Sequence, residues 1–509
     1  MAAATAAPAV AQINLPALGD TESEDFGIGT ERKLGDQVMR EIRRDPDYLD
    51  DPVLLEYIES LWQPLLMQAR ANGNIPADLD QRFAWEPFLV RDRAINAFAL
   101  PGGYIGVYLG LIALTTSRDE LASVLAHELS HVTQRHIARS IAVGKRQSLI
   151  GAAALILGVL AAARSNSADA ANALIVGGQA AAIQGQLNFS RDMEREADRI
   201  GFALLTGAGF APAGMAAMFE KLDQSSRLND SGAYPYLRSH PLSSERIGEA
   251  RARLGTGPAA QPGSALEHGL AQARARVLMD SRVDALRRWQ AMDADRTGST
   301  PSERLAAVYS SALASTLLRD WARADSALNQ ALGLAAAQPG EPRAARTIGL
   351  LVAQSLFARG DTARAAAVLK PFSETPSRPV MLLEAQVALA NSAASGATGD
   401  AAAALKRNVD PLQTWLALHP RDAAAWTLLG QAWGRLGQPL RAMRAEAEVR
   451  LALGDLNGAA DRLRAAQRSV RAGGNIDFIE ASVIDARLRD VEGQRRQIAA
   501  DERAATENR

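Results

Sequence analysis

His127-Glu128-Leu129-Ser130-His131 is the stretch around which the 509-residue chain is organised. The flanking residues 121–126 and 132–138 contain neither proline nor glycine, and together they predict one helix. Histidines four positions apart lie on the same face of a helix, where two neutral imidazoles can bind one Zn²⁺. A glutamate beside them can take a proton from metal-bound water. Histidine is scarce, with six in the whole chain, so this spacing favours a metal site over a chance pairing.

Zinc held by two histidines and a water needs a third protein ligand. One form of the pattern has a histidine six residues after the second one, but Ile137 occupies that position. His136 comes one residue earlier and is expected on another side of the helix. It is interpreted as a polar-face residue or as a contact to a ligating histidine, and not as a ligand.

The other form of the pattern takes a glutamate from a second helix, which residues 190–201 predict. Glu194 and Asp198 are four residues apart there, so Glu194 can bind the metal while Asp198 contacts a ligating histidine from behind. Glu196 lies on a different side of that helix and is the weaker candidate for a ligand. A solvated acidic helix is the alternative, and the HExxH pattern elsewhere in the chain argues against it.

The two motifs, HELSH at 127–131 and FSRDMEREADRIG at 189–201, together resemble the gluzincin metalloproteases. This group includes the CAAX prenyl proteases and their bacterial heat-shock relatives, and its soluble periplasmic branch fits best over about residues 13–255. The resemblance implies one zinc ion on His127, His131 and Glu194, with Glu128 as the catalytic base. Zinc would lower the pKa of bound water toward about 7, and Glu128 would pass the water's proton to the leaving amine.

A loop further along the chain, residues 234–247, contains a histidine that periodicity cannot place. By resemblance, this SHP…ERI element returns to the active site. His240 would stabilise the tetrahedral oxyanion or occupy the fourth zinc position in a resting state, with a structural role as the alternative. Arg246 is interpreted as the anchor of this loop, in contact with the site from outside. The remaining histidines, His268 and His419, are interpreted as structural.

Upstream of the HExxH helix, residues 96–108 alternate apolar positions around a Pro-Gly-Gly turn, which predicts a β-hairpin. Residues 82–91 predict another strand, and Pro101 argues against a central strand at the turn. In related proteases the equivalent strand borders the cleft and pairs with an extended substrate. The candidate substrate-binding residues are therefore Asn96, Ala97, Phe98, Ala99 and Leu100. A purely structural hairpin is the alternative.

Composition excludes several classes of function. The formal net charge of −1 does not indicate a broad nucleic-acid-binding surface. The absence of cysteine excludes disulfides and a cysteine nucleophile. Abundant alanine and glycine with few aromatic residues favour close-packed helices.

Residues 149–163 are apolar throughout and separate the two zinc-binding motifs. About 15 residues are too few to cross a bilayer, which needs about 20. We interpret the segment as part of a buried helical pair flanking the cleft. Peripheral contact with a membrane surface is the alternative.

The C-terminal half has the character of helical repeats. Trp426-x-x-Leu429-Gly430-x-x-Trp433 matches the first helix of a tetratricopeptide repeat. Turn residues followed by alanine recur near residues 319, 360, 399 and 437, at steps of 38–41 residues, which exceed the usual repeat of about 34. The pattern predicts a degenerate solenoid with a concave surface for protein partners, and an irregular helical domain is the alternative.

The predicted fold class is α+β and mostly α: a gluzincin-type metalloprotease domain with a small β-sheet, followed by a tetratricopeptide-like solenoid. Residues 25–255 are expected to form the protease, 256–265 a linker and 266–509 the repeats. Residues 1–24 are interpreted as a flexible remainder after removal of a signal peptide, because Ala9-Val-Ala11 resembles the end of one.

These features predict a periplasmic zinc endopeptidase for protein quality control. The resemblance implies that it degrades misassembled outer-membrane proteins and assists their assembly, with the repeats contacting the outer-membrane assembly machinery. One alternative is an assembly chaperone or scaffold with a latent zinc site. A membrane-embedded prenyl-peptide protease is disfavoured because the chain lacks several apolar spans of about 20 residues.

Overall fold

The computed structural model describes residues 27–143, 153, 156–158, 190–228, 235–254, 265–294, 300–338, 340–374, 377–395, 399–471 and 477–507. In this part of the chain the fold is mostly helical with one small sheet. The predicted fold class, α+β and mostly α with a helical C-terminal region, is therefore confirmed. The expected N-terminal remainder and nearly all of the expected linker lie outside the described residues.

The N-terminal part, residues 27–254, contains four strands and ten described helices. The strands are β1 (Tyr48–Leu49), β2 (Glu86–Val90), β3 (Ala97–Leu100) and β4 (Tyr104–Tyr108). The helices are α1 (Ile28–Ile42), α2 (Pro52–Ala71), α3 (Ala77–Arg82), α4 (Leu109–Leu114), α5 (Arg118–Thr133), α6 (His136–Val143), α7 (Arg191–Gly207), α8 (Ala213–Leu228), α9 (Pro235–Ser239) and α10 (Ser244–Ala252).

The four strands form one sheet in the order β1-β2-β4-β3. Strands β2 and β4 are parallel, whereas β3 and β4 form the predicted antiparallel hairpin. Gly102 and Gly103 in its turn have φ angles of +77° and +86°, a conformation that favours glycine and explains the Pro-Gly-Gly sequence. Strand β3 is the last strand of this sheet within the described residues, and no described strand pairs with its outer edge.

The two faces of the sheet pack against different helices. Ala97, Ile105 and Val107 belong to a large core shared with α2, α5, α7 and α8. On the opposite face, Phe88 and Tyr104 pack in a second core against α1. Helix α5 lies inside the larger core, which explains why almost every one of its residues is buried. The sheet and three helices thus hold the HExxH motif from all sides.

The C-terminal part is a succession of helices. They are α11 (Ala265–Leu278), α12 (Val283–Gln290), α13 (Pro301–Leu317), α14 (Trp321–Ala336), α15 (Pro342–Ala358), α16 (Thr362–Leu369), α17 (Arg378–Ser395), α18 (Gly399–Leu418), α19 (Ala423–Arg435), α20 (Pro439–Ala452), α21 (Leu456–Arg471) and α22 (Phe478–Glu507), with short 3₁₀ turns at Ala291–Ala294 and Lys370–Phe372. Each helix packs against the next, as in a solenoid.

The turn signals of the repeats have a direct structural basis. Residues with positive φ stand at four helix-to-helix turns: Arg319, Gly360, Gly437 and Gly454. At three of these turns the next residue, Asp320, Asp361 or Asp455, begins the following helix by accepting a hydrogen bond from the backbone three residues on. A short turn closed in this way folds each helix back on the previous one.

Helix α11 joins the two parts of the molecule. Its Ala271 and Ala275 belong to the core that contains α5, whereas Leu270 and Val277 belong to the core of the first C-terminal helices. Arg274 from the same helix forms a buried ion pair with Asp51, with Nε 2.8 Å from Oδ1. One helix therefore contributes to two hydrophobic cores at once.

Further arginines of the C-terminal part pair with acidic residues near α1 and α2. Arg346 Nη1 lies 2.6 Å from Glu56 Oε2, and Arg378 Nη1 lies 2.6 Å from Asp50 Oδ1. Arg421 contacts Asp36 at 3.0 Å and also the hydroxyl of Tyr104. Tyr104 opens strand β4, so this contact ties the solenoid to the sheet that carries β3.

No helix among the described residues is long and apolar enough to cross a membrane. Of the apolar insert at 149–163, only residues 153 and 156–158 are described. Ala153 and Ile156 are buried in the core formed by α1 and the sheet. The rest of the insert lies outside the described residues, and with it both the predicted helical pair and the alternative of contact with a membrane surface.

Candidate metal centre and active site

The site is assembled where α5 and α7 cross. Ser117 begins α5 and Ser190 begins α7, each accepting a backbone hydrogen bond at 3.2 Å. The two helices approach closely at Gly201, where an added Cβ would lie 3.2 Å from the backbone of Ala126. This close packing brings the acidic first turns of α7 against the HExxH motif.

Four buried side chains offer metal-binding atoms that all lie within 4.8 Å of one another: His127, His131, Glu194 and His240. The Nε2 atoms of His127 and His131 are 3.0 Å apart. Each lies 3.4 Å from an oxygen of Glu194. A tetrahedral site with bonds of about 2.0–2.1 Å places its ligand atoms about 3.3–3.4 Å apart, so these atoms fit a zinc-sized cation.

His240 comes from the loop after α9 and is buried in the site. Its Nδ1 lies 2.9 Å from Glu194 Oε1 and 3.3 Å from His127 Nε2. The ring is stacked on Tyr236, with the ring centroids 4.7 Å apart. The loop histidine, which periodicity could not place, therefore stands at the fourth corner of the donor group.

Glu128 faces the same space. Its side chain is fully buried, and neither carboxylate oxygen has a hydrogen bond of normal geometry. His240 Nε2 lies 3.5 Å from its Oε1. Burial raises the pKa of Glu128, although the nearby histidines and the backbone amide of Ala99 oppose this shift. A carboxylate with a raised pKa and no fixed partner suits general-base chemistry.

Asp198 and Arg246 support the site from behind. Asp198 Oδ1 lies 2.9 Å from Nδ1 of His127, and the Arg246 guanidinium donates two hydrogen bonds to Asp198 at 2.7 and 2.8 Å. Burial would raise the pKa of Asp198, but these partners lower it to about 2. Burial would likewise lower the pKa of His127, but hydrogen bonds to Asp198 and Glu194 raise it to about 10.

Arg246 also fixes the loop that carries His240. Its Nη1 donates to the backbone carbonyl of Pro241 at 2.8 Å and lies 2.8 Å from Glu194 Oε2. A single buried guanidinium thus connects a donor carboxylate, the carboxylate behind His127, and the loop.

His136 contacts a proposed ligating histidine, one of the two roles interpreted from the sequence, but the path of the chain leading to it differs from the prediction. Helix α5 ends at Thr133 and does not continue to residue 138, because Arg135 has a φ of +53°. His136 consequently turns back toward the site, with its Nδ1 2.9 Å from Nδ1 of His131. Its Nε2 lies 3.0 Å from Glu196 Oε2. Glu196, which the sequence offered only as a weak ligand, contacts the site through this histidine.

The predicted substrate-binding strand β3 borders this site. The N–H of Tyr108 donates to the C=O of Asn96 at 3.1 Å. This bond determines which residues of β3 direct their backbone groups toward β4 and which direct them outward. Backbone groups of Phe98 and Leu100 therefore face β4, whereas those of Ala97 and Ala99 point to the outer edge. The Ala99 amide is directed at Glu128. Asn96 is buried, and its side-chain oxygen has no hydrogen-bond partner.

The two remaining histidines lie away from the donor group. His268 bridges Tyr57 and the Thr115 carbonyl at 2.7 and 3.0 Å, respectively. His419 is stacked on Trp415 with centroids 3.8 Å apart. Both are held by packing contacts in the C-terminal part or at its junction.

Two helix-spaced histidines, a glutamate from a second helix and a buried glutamate beside them define a metalloprotease, and comparison with known proteins agrees. Residues 59–254 match the model for Peptidase family M48. The beta-barrel assembly-enhancing protease of Yersinia pestis is 31% identical over 481 residues, covering 94% of this chain and 91% of that protein. The Escherichia coli K12 protein of the same name is 30% identical over 462 residues, covering 90% and 88%.

A Vibrio cholerae relative is 40% identical over 277 residues, which cover 53% of this chain and 54% of that protein. The match therefore spans about half of the Vibrio relative, but about nine tenths of the other two. The chain belongs to peptidase family M48 and, within it, to the family of beta-barrel assembly-enhancing proteases. The family resemblance of its two motifs is confirmed.

Proposed function

We propose that this protein is a zinc-dependent endopeptidase of the periplasm, which degrades misassembled outer-membrane proteins and assists their assembly. The names of its relatives support a role in β-barrel assembly. The observation that carries the enzymatic part is the buried group of four residues whose donor atoms lie within 4.8 Å of one another, with the buried carboxylate of Glu128 beside it.

In this proposal His127, His131 and Glu194 hold the metal, and Asp198 and Arg246 position His127 and Glu194. A bound Zn²⁺ supplies Lewis acidity, which lowers the pKa of coordinated water and polarises a carbonyl. Two imidazoles and one carboxylate suit zinc, whereas calcium and magnesium prefer oxygen ligands. With both imidazoles neutral, the three ligands supply one negative charge, which offsets one of the two positive charges of the ion.

Glu128 acts as the general base. It takes a proton from the attacking water and delivers it to the amine of the departing peptide. Its burial keeps the carboxylate free of competing solvent, and its raised pKa brings it closer to neutral pH, where such a base is most effective.

The peptide substrate binds in an extended conformation along β3. Outward-facing backbone groups of Ala97 and Ala99 pair with it, and the buried side-chain oxygen of Asn96, which has no hydrogen-bond partner, can accept a further hydrogen bond. This mode accepts any sequence that can be extended, because the main chain supplies the contacts. It suits a protease whose substrates are misfolded chains.

His240 gives the site a resting state. Its Nδ1 takes the fourth donor position, and an attacking water needs that position. Hydrolysis then requires the loop after α9 to move, after which the imidazole is available to stabilise the oxyanion. The same observation favours the second candidate function, an assembly chaperone in which the zinc site stays latent.

Residues 266–509 form the docking part of the molecule, and residues 25–255 the protease, with 256–265 between them. The concave surface of the solenoid binds substrates and the outer-membrane assembly machinery, and no nucleic acid is involved. The helix α11 that both cores share supports a fixed placement of this surface relative to the cleft.

The test combines metal analysis with a protease assay on the full-length chain. We expect about one zinc per chain, loss of zinc in Glu194→Ala, and hydrolysis of casein by the wild type but not by Glu128→Gln. Glu128→Gln is a matched control because it keeps the shape of the side chain and should retain zinc. Casein cleavage by Glu128→Gln at the wild-type rate would refute the mechanism. Zinc binding without hydrolysis in the wild type would favour the chaperone.

A further inference from the structure

The break between α5 and α6 places a histidine against the far side of a proposed metal ligand. His136 is fully buried, and its ring meets that of His131 nearly edge to face, with centroids 4.9 Å apart. Both of its ring nitrogens are engaged: Nδ1 with His131 and Nε2 with Glu196. Arg139 approaches the same Glu196 oxygen at 3.3 Å from the solvent side. An imidazole that only filled space would not need both nitrogens aligned with polar partners.

The direction of these hydrogen bonds follows from the metal site. His131 presents Nε2 to Glu194 and His127, so a neutral His131 that ligates through Nε2 carries its proton on Nδ1. That proton points at Nδ1 of His136, which must accept it. The remaining proton of His136 is then on Nε2 and is donated to the Glu196 carboxylate. Each step fixes the tautomer of the next ring.

Each of the two proposed histidine ligands is therefore backed by a carboxylate, but the contact is made in a different way for each. His127 places its Nδ1 directly against a carboxylate, 2.9 Å from Oδ1 of Asp198. His131 reaches its carboxylate, Glu196, through an intervening imidazole. Glu194, Glu196 and Asp198 all belong to α7. One stretch of a single helix thus supplies the proposed metal-binding carboxylate and the outer partners of both histidines.

We propose that His136, held by Glu196, is a positioning residue for His131. It fixes the rotation and the tautomer of that ring so that Nε2 presents its lone pair to the metal. The inference rests on the proposed function, because it takes His131 to be a ligand. Loss of an outer partner of this kind typically weakens metal affinity by roughly 10–100-fold.

The experiment measures the zinc dissociation constant of the full-length protein by competition with a chromogenic chelator, together with the thermal midpoint of the metal-free form. His136→Phe removes both hydrogen bonds but retains an aromatic ring. We expect its zinc affinity to fall by roughly 10–100-fold, with a much smaller change in the metal-free midpoint. His136→Asn keeps an acceptor near the position of Nδ1, so it should recover most of the lost affinity.

Glu196→Ala gives a second route that does not touch the buried ring, since the Glu196 side chain is 32% exposed. It should weaken zinc binding in the same direction but less. Asp192→Ala is the matched control, because this carboxylate on the same helix is 94% exposed, and it should bind zinc as the wild type does.

The outcomes separate the two proposals. A wild type that binds no zinc overturns the proposed function, and the positioning role falls with it. A wild type that binds zinc, beside His136→Phe with unchanged affinity, overturns the positioning role alone. Equal weakness of His136→Asn and His136→Phe also overturns it, because packing and not hydrogen bonding would then be responsible.

Discussion

At the scale of single residues, the site depends on a few buried groups with several partners each. Arg246 is the clearest case, since it contacts Asp198, Glu194 and the backbone of Pro241. A guanidinium with this many fixed partners holds the loop of His240 and helix α7 in one arrangement. Removing it would leave two carboxylates buried without their cation, which is strongly destabilising.

His240 provides the sharpest prediction at this scale. His240→Ala should raise basal hydrolysis of an unstructured peptide several-fold, because its Nδ1 no longer competes for the fourth donor position. Zinc content should stay near one per chain, since three proposed ligands remain. Peptide hydrolysis and bound zinc are measured on the same preparation. A loss on the order of 10²-fold would instead assign His240 to the oxyanion. No change in either quantity would make it structural.

His136 shows where prediction from sequence stops at this scale. Spacing was enough to propose His127 and His131 and to offer Glu194, because four-residue intervals and residue chemistry are local properties, and the resemblance of the two motifs implied the same three ligands. The position at which α5 ends, in contrast, depends on a contact with a residue far away in the sequence. No glycine marks it, and Arg135 takes a positive φ while its side chain pairs with buried Glu31 of α1, 2.9 Å away. A contact 104 residues distant thus allows a conformation that costs of order 1–3 kcal/mol by itself.

At the scale of elements, strand β3 combines two properties that a substrate-binding strand needs. Its outer edge lacks a partner strand among the described residues, and its inner side packs on the helix that carries the HExxH motif. Gly106 on the neighbouring strand β4 explains part of this packing. An added Cβ there would lie 2.4 Å from the ring of Phe98. The hairpin was predictable from alternation and its turn, and the resemblance implied that its first strand borders the cleft, but the order of the strands in the sheet required the structure.

A proline in this strand tests whether its backbone binds peptide. Ala99→Pro removes an N–H that points away from β4, so the hairpin and the zinc content should survive. We expect kcat/KM for an unstructured peptide to fall by up to about tenfold through a higher KM, the equivalent of one lost hydrogen bond in the bound state. A fall in kcat alone would instead report the contact of the Ala99 amide with Glu128. Ala99→Gly, which keeps the amide, serves as the control. Wild-type kinetics in Ala99→Pro would exclude β3 as the binding edge.

At the scale of the whole molecule, the C-terminal helices are attached by charge as well as by packing. Arginines of α11, α15, α17 and the α18–α19 turn each meet an acidic residue of the N-terminal part. These partners lie 223–385 residues apart in the sequence. Repeat periodicity could predict the helices, but it contains no information about which charges meet across the junction.

The buried pair of Arg274 and Asp51 should dominate the stability of this junction. Arg274→Met leaves the Asp51 carboxylate buried without its cation, which typically costs about 3–5 kcal/mol. We expect a clear fall in the urea midpoint of unfolding, followed by circular dichroism. Arg464→Met breaks solvent-accessible pairs with Asp461 and Glu492 and should leave the midpoint nearly unchanged. Equal midpoints for the two variants would contradict a role for the buried pair.

Helix α11 also sets the order of events when the chain is made. It follows every proposed catalytic residue in sequence, yet its Ala271 and Ala275 complete the core around α5. Chains are synthesised from the N-terminus. The N-terminal residues therefore lack packing partners that lie later in the sequence until those partners have been made. A nascent chain therefore carries all its proposed catalytic side chains before it has the helix that closes the core behind them. Proteolytic competence would come only with the first helices of the C-terminal part, so a half-made chain is not yet a protease.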